Sequence, residues 1–294
     1  MQLFFAQLVN GISLGSIYAL IALGYTMVYG VMRLINFAHC DIYMLGAYVG
    51  YACMTFWRLP VPIALVAAMS VCTMLGIAIE RTAYRPLRSA ERISLLITAL
   101  GVSQLLQYCT MLVVSPNVRT YPPIKGWLAG VFTVWGVRIT ALQCVILATA
   151  LTLMGTLNTI VKHTRTGRAM RAVAQDRDTA QLMGIDVDAT ISHTFAIGSA
   201  LAGAAGVLVG IYYNTINPLM GTLPGLKAFV AAVFGGIGVI PGAMLGGYFI
   251  GVVEVMVAGY GNSMMRDAVV FTILIVVLII RPTGLLGSQA KEKV

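Results

Sequence analysis

Long apolar runs follow one another along almost the whole chain of 294 residues, separated by short polar stretches. A helix needs roughly 20 apolar residues to cross the hydrocarbon layer of a membrane, and unpaired backbone is not tolerated facing lipid. The runs therefore predict a bundle of membrane-crossing helices. We place candidate crossings at residues 3–31, 42–57, 61–79, 93–114, 139–161, 191–212, 226–239, 242–258 and 268–280. The seventh is short and rich in glycine, which fits a half-helix.

Composition supports the same class. Hydrophobic residues make up 59% of the chain and charged residues 10%, against about 25% charged residues in soluble domains. The mean hydropathy of +0.89 is too high for one soluble core. We therefore expect an all-α polytopic membrane protein, with eight to nine transmembrane helices in a single domain over residues 1–294. The first apolar run is too long for a signal peptide, so we expect no cleavage.

The net charge of +9 reports orientation and not nucleic acid, because the basic residues lie at the ends of the predicted crossings. They form three clusters: Arg81, Arg85, Arg88 and Arg92; Lys162, Arg165, Arg168, Arg171 and Arg177; and Arg281, Lys291 and Lys293. If all three are cytoplasmic, the amino terminus lies outside and the carboxyl terminus inside. Arg119, Lys125 and Arg138 then lie outside, as exceptions to the rule.

One polar segment, residues 162–190, interrupts the apolar pattern for longer than a simple connection requires. Asp178 fits an N-cap, with Gln181 three positions later, and Gly184 fits the left-handed residue that ends a helix. In the residues ahead of Asp178, apolar and polar side chains recur at the spacing of an amphipathic helix, which we expect to lie along the membrane surface. An ordinary cytoplasmic loop is the alternative. Two capped helices in tandem favour a contact point for another protein.

A short sequence occurs twice, as Met-Leu-Gly-Ala-Tyr at 44–48 and Met-Leu-Gly-Gly-Tyr at 244–248. Each copy follows an irregular stretch, at 36–41 and at 235–241. This echo predicts two halves related by a parallel pseudo-repeat. Paired helix breaks in two halves of a membrane protein often line a solute path. The candidate path residues in the breaks are Asn36, His39, Gly235, Gly236 and Gly238.

Ionisable residues within crossings are costly and usually functional. Glu254 is the clearest case, and three interpretations stay open: it holds a substrate ammonium, pairs with a basic residue, or lies near the headgroups. We include it among the path residues. His39 and Asp41 could act as gate residues, although a structural role is favoured for His39. Lys227 is expected to extend its ammonium to the interface.

Catalytic and cofactor chemistry find no support in the sequence. The three histidines, His39, His163 and His193, are far apart, and the five cysteines show no metal-binding spacing. The chain also lacks a G-x-x-x-x-G-K-[ST] phosphate loop, so any ATP energy arrives through a partner. We expect a transport subunit that is not an enzyme and holds no cofactor.

Several motifs resemble the permeases of ABC importers for branched-chain amino acids. They are NGISLGSIYALIALGYTMVYG at 10–30, INFAH at 35–39, AYRPLR at 83–88, GLKAFVAAVFGGIG at 225–238 and RPTGLLG at 281–287. The resemblance covers nearly the whole chain and lies with the first of the two permeases that such importers pair. Cys40 departs from it, because the family most often has glycine there.

The resemblance implies an importer in the bacterial inner membrane, with a second permease as a heterodimer partner, two ABC ATPase subunits and a periplasmic substrate-binding protein. It also implies that the polar segment is the cytoplasmic coupling loop. The residues proposed for ATPase coupling are Arg168, Arg171, Ala172, Asp176, Asp178, Ala180 and Gly184.

Three classes of function stay open at this point. The first is an importer of leucine, isoleucine and valine, or a close relative that carries urea or short amides. The second is an ion-coupled secondary carrier, for which Glu254 alone is thin support. The third is a passive channel. Dependence of uptake on ATP or on an ion gradient separates the first two classes.

Overall fold

A computed structural model describes residues 2–88, 90–123, 126–134, 136–281 and 283–287. Eleven α-helices occur in these residues: α1 Gln2–Met32, α2 His39–Thr55, α3 Val61–Ile79, α4 Arg92–Val113, α5 Ala141–His163, α6 Arg165–Gln175, α7 Arg177–Leu182, α8 Val187–Tyr213, α9 Thr222–Gly235, α10 Ile240–Tyr260 and α11 Arg266–Ile280. The expectations for Lys125, Lys291 and Lys293, and Pro282 of the 281–287 motif, lie outside the described residues.

Each of the nine predicted crossings coincides with a helix, but the described residues contain seven helices that are long and apolar enough to cross a membrane. The other two are α2, with 17 residues, and α9, with 14. At 1.5 Å per residue, α9 is about 21 Å long, which is shorter than the roughly 30 Å of a hydrocarbon core. The structure therefore supports an all-α multi-pass membrane protein, and the predicted count of eight to nine stays open.

Two long helices, α1 and α8, form the centre of the bundle. In an apolar 18-residue stretch of each, 94% and 83% of the residues are buried, against 6% for Ser263–Ile280, the stretch that includes α11. Small residues let the helices approach closely: a Cβ added to Gly15 in α1 would lie 2.8 Å from the Cα of Tyr248 in α10. Helix α1 packs on α9 and α10, while α8 packs on α2 and α3.

Four short strands lie in the loops at one end of the bundle: β1 Arg119–Thr120, β2 Val131–Val134, β3 Val137–Thr140 and β4 Thr215–Ile216. β1 pairs with β4, and β2 with β3, both antiparallel. Tyr121 anchors the long loop by donating its hydroxyl proton to the carbonyl oxygen of Ala47 at 2.6 Å. This long loop is thus fastened to α2 and to the residue that follows α8.

Candidate functional site

The polar segment (residues 162–190) folds into α6 and α7, which lie between α5 and α8. Asp176 begins α7, because its Oδ1 accepts hydrogen bonds from the amides of Asp178 and Thr179 at 2.9 and 3.1 Å. The prediction of Asp178 as the cap is wrong. Helix α6 continues to Gln175, so Asp176 is the residue with the extended backbone that a cap requires.

Gly184 ends α7 in the left-handed conformation, with φ of +80°, which confirms the predicted conformation. Its amide donates to the carbonyl oxygen of Gln181 at 3.0 Å, and the amide of Ile185 donates to that of Ala180 at 3.1 Å. This pair of bonds satisfies carbonyl groups that a helix end leaves free. Helix α7 is therefore fixed at both ends.

The polar segment docks on the bundle through buried side chains and leaves others free. Met170, Val173 and Ala180 are buried in the core, so α6 lies against the protein and not only along the membrane surface. Leu182 and Met183, at the end of α7, are 87% and 78% exposed. The remaining residues proposed for coupling are exposed or half-buried: Arg168, Arg171, Ala172 and Asp178.

Arg177, the first residue of α7, joins the polar segment to the central helix α1. Its Nη2 donates to the carbonyl oxygens of Met32 and Val31 at 2.8 and 3.2 Å. These are the last two residues of α1, and Arg33 follows with a φ of +54°. Burial, with the nearby charges of Arg88 and Arg33, lowers the pKa of the Arg177 guanidinium. The guanidinium thus neutralises the carbonyl end of α1.

The first break lies between α1 and α2 at residues 33–38, so that residues 39–41 of the predicted stretch 36–41 belong to α2 instead. Asn36 is buried, and its Oδ1 accepts a hydrogen bond from the Tyr84 hydroxyl at 2.7 Å. His39 is also buried and lies edge-on to the Tyr25 ring, with centroids 4.9 Å apart. Among the described residues its Nε2 has no hydrogen-bond partner. Asp41 accepts from Gln107 Nε2 at 2.9 Å.

Cys40 lies inside the bundle at this break. Its Sγ is 2.5 Å from the Tyr25 hydroxyl. Gly221 and Gly225 pack directly on it, and a Cβ on either glycine would overlap Cys40. Gly225, in the first turn of α9, leaves the space that the Cys40 side chain fills, which places a thiol between α1 and α9.

The second break lies between α9 and α10 at residues 236–239, so that residues 235, 240 and 241 of the predicted stretch 235–241 belong to the flanking helices. Gly236 and Gly238 both have positive φ, of +106° and +89°, which glycine adopts readily. Gly235 packs against Gly242, so the two helices meet without side chains between them. The amides of Leu285 and Leu286 donate to the carbonyls of Phe234 and Gly235 at 2.9 and 3.1 Å. The chain after α11 thus supports the end of α9.

The two breaks meet in the folded chain. A Cβ added to Gly30, near the end of α1, would lie 3.6 Å from the Cα of Gly238. Ile35 of the first break and Ile237 of the second line one small pocket. The helical residues Tyr25, Tyr29 and Phe229 complete its lining. The sequence pattern therefore located two irregular segments that share a site.

Glu254 lies elsewhere. It is 14 residues beyond the start of α10, about 21 Å along the helix from the second break. Its Oε1 accepts from Lys227 Nζ at 2.7 Å and its Oε2 from the Tyr18 hydroxyl at 2.8 Å. Lys227 Nζ is also 2.7 Å from Asp267 Oδ1. We call Tyr18, Lys227, Glu254, Arg266 and Asp267 the Glu254 cluster.

Of the three interpretations of Glu254, pairing with a basic residue matches the structure. The expectation that Lys227 extends to the interface is wrong: its side chain is 5% exposed. An ammonium in an apolar helix reaches for the interface only when no carboxylate lies nearer. Glu254, 27 residues further along the chain, supplies one.

A second group of charges, which the sequence reasoning missed, lies where α3 meets the polar segment. Here α3 continues into a π-helical segment, Glu80–Tyr84, and then into a 3₁₀ turn, Arg85–Leu87. Arg88 pairs with both Glu80 and Asp188, and Arg85 also pairs with Asp188. Ser192 donates to Glu80 Oε2 at 2.6 Å. We call Glu80, Arg85, Arg88, Asp188 and Ser192 the Glu80 cluster.

The two clusters lie at opposite ends of the bundle. Asp188 begins α8, whereas Tyr212 and Tyr213 at its other end border Glu254. The 24 residues from Asp188 to Tyr212 span about 36 Å of helix. The Glu80 cluster is on the side of the polar segment, and the Glu254 cluster is on the far side.

Comparison with known proteins decides the family. A protein-family model described as "Branched-chain amino acid transport system / permease component" matches residues 7–278. The chain belongs to this family of permeases. It is 43% identical over 302 residues to the high-affinity branched-chain amino acid transport system permease protein LivH of Escherichia coli (strain K12), covering 99% of this chain and 98% of that protein.

Further relatives agree with this assignment. LivH of Salmonella typhimurium is also 43% identical to this permease, over 99% of the chain and 98% of the relative. BraD of Pseudomonas aeruginosa is 44% identical over 298 residues, with 98% and 97% covered. A solved structure, PsaBC from Streptococcus pneumoniae in complex with Fab, has a TM-score of 0.47 at 10% identity, over 96% of this chain and 91% of that chain. That likeness is too low to support an argument.

Within this permease, the residues proposed from sequence fall into three places. The coupling residues lie in the polar segment, the path residues of the two breaks lie at the α1–α2 and α9–α10 junctions, and Glu254 lies apart from both. The residues that join these places are Arg177, Arg88, Lys227 and Tyr84. Except for Glu80, which lies 8 residues before Arg88, their partners are 27 to 146 residues distant in sequence, which no local pattern records.

Proposed function

We propose that this permease is a membrane subunit of an ATP-driven importer of branched-chain amino acids and forms half of the translocation path. The observation that carries the proposal is its near full-length similarity to permeases named for high-affinity branched-chain amino acid transport. ATP hydrolysis belongs to two partner ATPase subunits. A second permease completes the path, and a periplasmic protein delivers the solute. The complex is placed in the bacterial inner membrane.

The polar segment is where the ATPase subunits act. Its exposed Leu182 and Met183 offer an apolar contact at the tip of a helix that is fixed at both ends. An apolar pair that a soluble surface would not retain marks a protein contact. We place the surrounding residues in the same contact: Arg168, Arg171, Ala172, Asp176, Asp178, Ala180 and Gly184.

Arg177 transmits the movement of α7 to the path. Its guanidinium holds the last carbonyls of α1, and α1 leads into the break that contains Asn36 and His39. A displaced α7 therefore pulls on the end of the central helix. The second break follows, because Gly30 of α1 packs against Gly238. Asn36, His39, Gly235, Gly236 and Gly238 form the moving part of the path, and Glu254 lies toward its other end.

The topology follows from the basic clusters. With Arg81 to Arg88 and the polar segment on the cytoplasmic side, α2 and α9 each cross the membrane together with the break beside them, which brings the crossings to nine. We also infer a two-half repeat, but an inverted one. Helices α1 to α3 and α8 to α10 each run as a long central helix, a short helix and a helix with proline in its first turn, and each central helix packs on the other half's pair.

Among the alternatives weighed from the sequence, an ion-coupled carrier is not favoured, because Lys227 already neutralises Glu254. Carriage of urea or short amides has no support in the names of the relatives, which refer to branched-chain amino acids. Branched-chain amino acid import is therefore the function we propose.

The test is uptake into liposomes that contain the permease complex with its ATPase subunits. Radiolabelled L-leucine and the cognate binding protein are supplied outside, and ATP is enclosed. We expect uptake that requires ATP and the binding protein and persists when ionophores dissipate all ion gradients. Uptake that ignores ATP and collapses with the gradients would overturn the proposal.

A further inference from the structure

A cavity of about 230 Å³ opens beside the Glu254 cluster, between α1, α8 and α10. Glu254 and Arg266 both line it, so a carboxylate and a guanidinium border the same space. Drug-sized ligands occupy pockets of roughly 300–1,000 Å³, so this cavity suits a smaller molecule. Much of its remaining lining is apolar or aromatic: Leu14, Tyr212, Tyr213, Val255 and Ala258.

Of the two cations in the Glu254 cluster, Arg266 is the one whose N–H donors are not used in short contacts with the carboxylates. Lys227 Nζ lies 2.7 Å from both Glu254 Oε1 and Asp267 Oδ1. The Nε of Arg266 lies 3.9 and 3.6 Å from the same two atoms, beyond the usual N–H···O distance of 2.7–3.2 Å. Its side chain is 46% exposed. A guanidinium has five N–H donors, which these longer contacts do not use.

The charges of the Glu254 cluster also limit what can enter. Glu254 and Asp267 balance Lys227 and Arg266, so the cluster is neutral. A lone anion or cation in this half-buried space would leave one charge uncompensated, which is costly. A zwitterion brings one charge of each sign and keeps the balance. The carboxylate of Glu254 accepts two hydrogen bonds and has about four acceptor sites, so it can take a third.

We propose, building on the importer function above, that this cavity is a binding site for the zwitterion of an α-amino acid. Arg266 binds its carboxylate, Glu254 binds its ammonium, and the wall formed by Leu14, Val255 and Ala258 receives its side chain. In the proposed topology the cavity lies at the outer end of α8 and α10. The permease therefore recognises the ammonium and carboxylate groups of the solute directly, in addition to any selection by the delivering protein.

The test measures binding of tritiated L-leucine to the detergent-solubilised permease complex, without nucleotide and without binding protein. We expect saturable binding that unlabelled L-leucine displaces. Neither 4-methylpentanoate, which lacks the ammonium, nor 3-methylbutylamine, which lacks the carboxylate, should displace it. Arg266→Gln should weaken binding by about tenfold or more, because it removes charge-assisted hydrogen bonds. Arg138→Gln, an equal charge change in the exposed strand β3, should leave it unchanged.

A second variant covers the case in which Arg266→Gln does not assemble. Arg266→Lys keeps the charge but loses the planar fork that binds a carboxylate with two bonds, so we expect weakened but measurable binding. Equal displacement by 4-methylpentanoate would overturn the zwitterion site. Undetectable leucine binding, or binding unaffected by both variants, would also overturn it even with ATP-driven uptake intact. Loss of ATP-driven uptake in the unaltered complex would instead count against the proposed function.

Discussion

The Glu80 and Glu254 clusters lie at opposite ends of the bundle. Each neutralises a buried glutamate, but the two arrangements of counter-ions differ. Each contains a glutamate that is almost fully buried, at 0% and 3% exposure. Glu254 pairs with Lys227, which is itself buried. Glu80 pairs with Arg88, which also binds Asp188, and Asp188 is 47% exposed. One carboxylate has a buried lysine as its counter-ion, and the other shares its arginine with a surface residue.

From this difference we call the end of the bundle with the Glu254 cluster the fixed end and the end with the Glu80 cluster the adjustable end. Removing one partner of a buried ion pair leaves an uncompensated charge, whereas exposed pairs contribute little and exchange readily. The Glu254 cluster joins α1, α9, α10 and α11. The Glu80 cluster joins the end of α3 to the start of α8, directly after the polar segment. The end that carries the polar segment is therefore the end whose charge pairs include an exposed partner that can rearrange.

The largest effect should follow from Lys227→Met, which leaves Glu254 buried without its cation. Breaking a buried pair in this way costs roughly 3–5 kcal/mol, so thermal unfolding of the purified permease complex should occur at a much lower temperature. Lys162→Met, at an exposed lysine, is the matched control. The double variant with Glu254→Gln should recover much of the loss. A Lys227→Met protein as stable as the control would remove the fixed end from the comparison.

Arg177→Gln should have the next largest effect, on coupling and not on stability. It removes the two hydrogen bonds that join α7 to the carbonyl end of α1. Bonds from charged groups are worth about 1.5–3 kcal/mol, so leucine transported per ATP hydrolysed should fall by about tenfold or more. Arg165→Gln, exposed on α6, is the control. An unchanged ratio of transport to hydrolysis would show that the adjustable end does not act through α1.

Local patterns in the sequence recovered the helices and the breaks, because both are set by nearby residues. Each predicted apolar run coincides with a helix, and the glycines at 236 and 238 marked a turn that their positive φ angles require. Asp176 and Asp178 show where local reasoning reaches its limit. Both fit a cap, and the choice depends on how far α6 continues, which is set by the burial of Met170 and Val173 against the bundle.

The partners of buried polar groups could not be predicted, because they are long-range. Lys227 in an apolar run carries no sign that Glu254 lies beside it in the fold. Tyr84 and Asn36 are 48 residues apart. The two charge clusters, and with them the contrast between the ends of the bundle, exist only once helices distant in sequence are packed together.

The cap of α7 gives a smaller effect with an internal control. Asp176→Ala removes the carboxylate that accepts from two amides and from the Thr179 hydroxyl, whereas Asp178→Ala removes an equal charge two residues away without removing the cap. Loss of a cap changes a helix equilibrium by about fivefold. We expect a similar drop in ATPase stimulation by the loaded binding protein for Asp176→Ala, and a clearly smaller drop for Asp178→Ala, which loses one charge of the contact but keeps the cap. Equal effects of both variants would mean that charge, not helix order, matters at this contact.

The same carboxylate predicts a pH dependence of α7. Hydrogen bonds from the Thr179 amide and hydroxyl lower the pKa of Asp176 below its usual value. A lowered folded pKa stabilises the helix above the ordinary aspartate pKa, and the contribution is lost as pH falls through the lowered one. Protection of α7 amides from hydrogen exchange, corrected for intrinsic rates, should thus decline only at acid pH. In Asp176→Ala this decline should be absent.

Asp188→Asn should give the smallest change in stability and is the sharpest test of the contrast. It removes the exposed partner of Arg85 and Arg88 but leaves Arg88 paired with Glu80. Exposed pairs contribute about 0–1 kcal/mol, so thermal unfolding should hardly move relative to Asp178→Asn. Coupling should still weaken, because Asp188 links the polar segment to α3. Destabilisation as large as that of Lys227→Met would mean that both ends are equally fixed, and the adjustable end would have to be sought elsewhere.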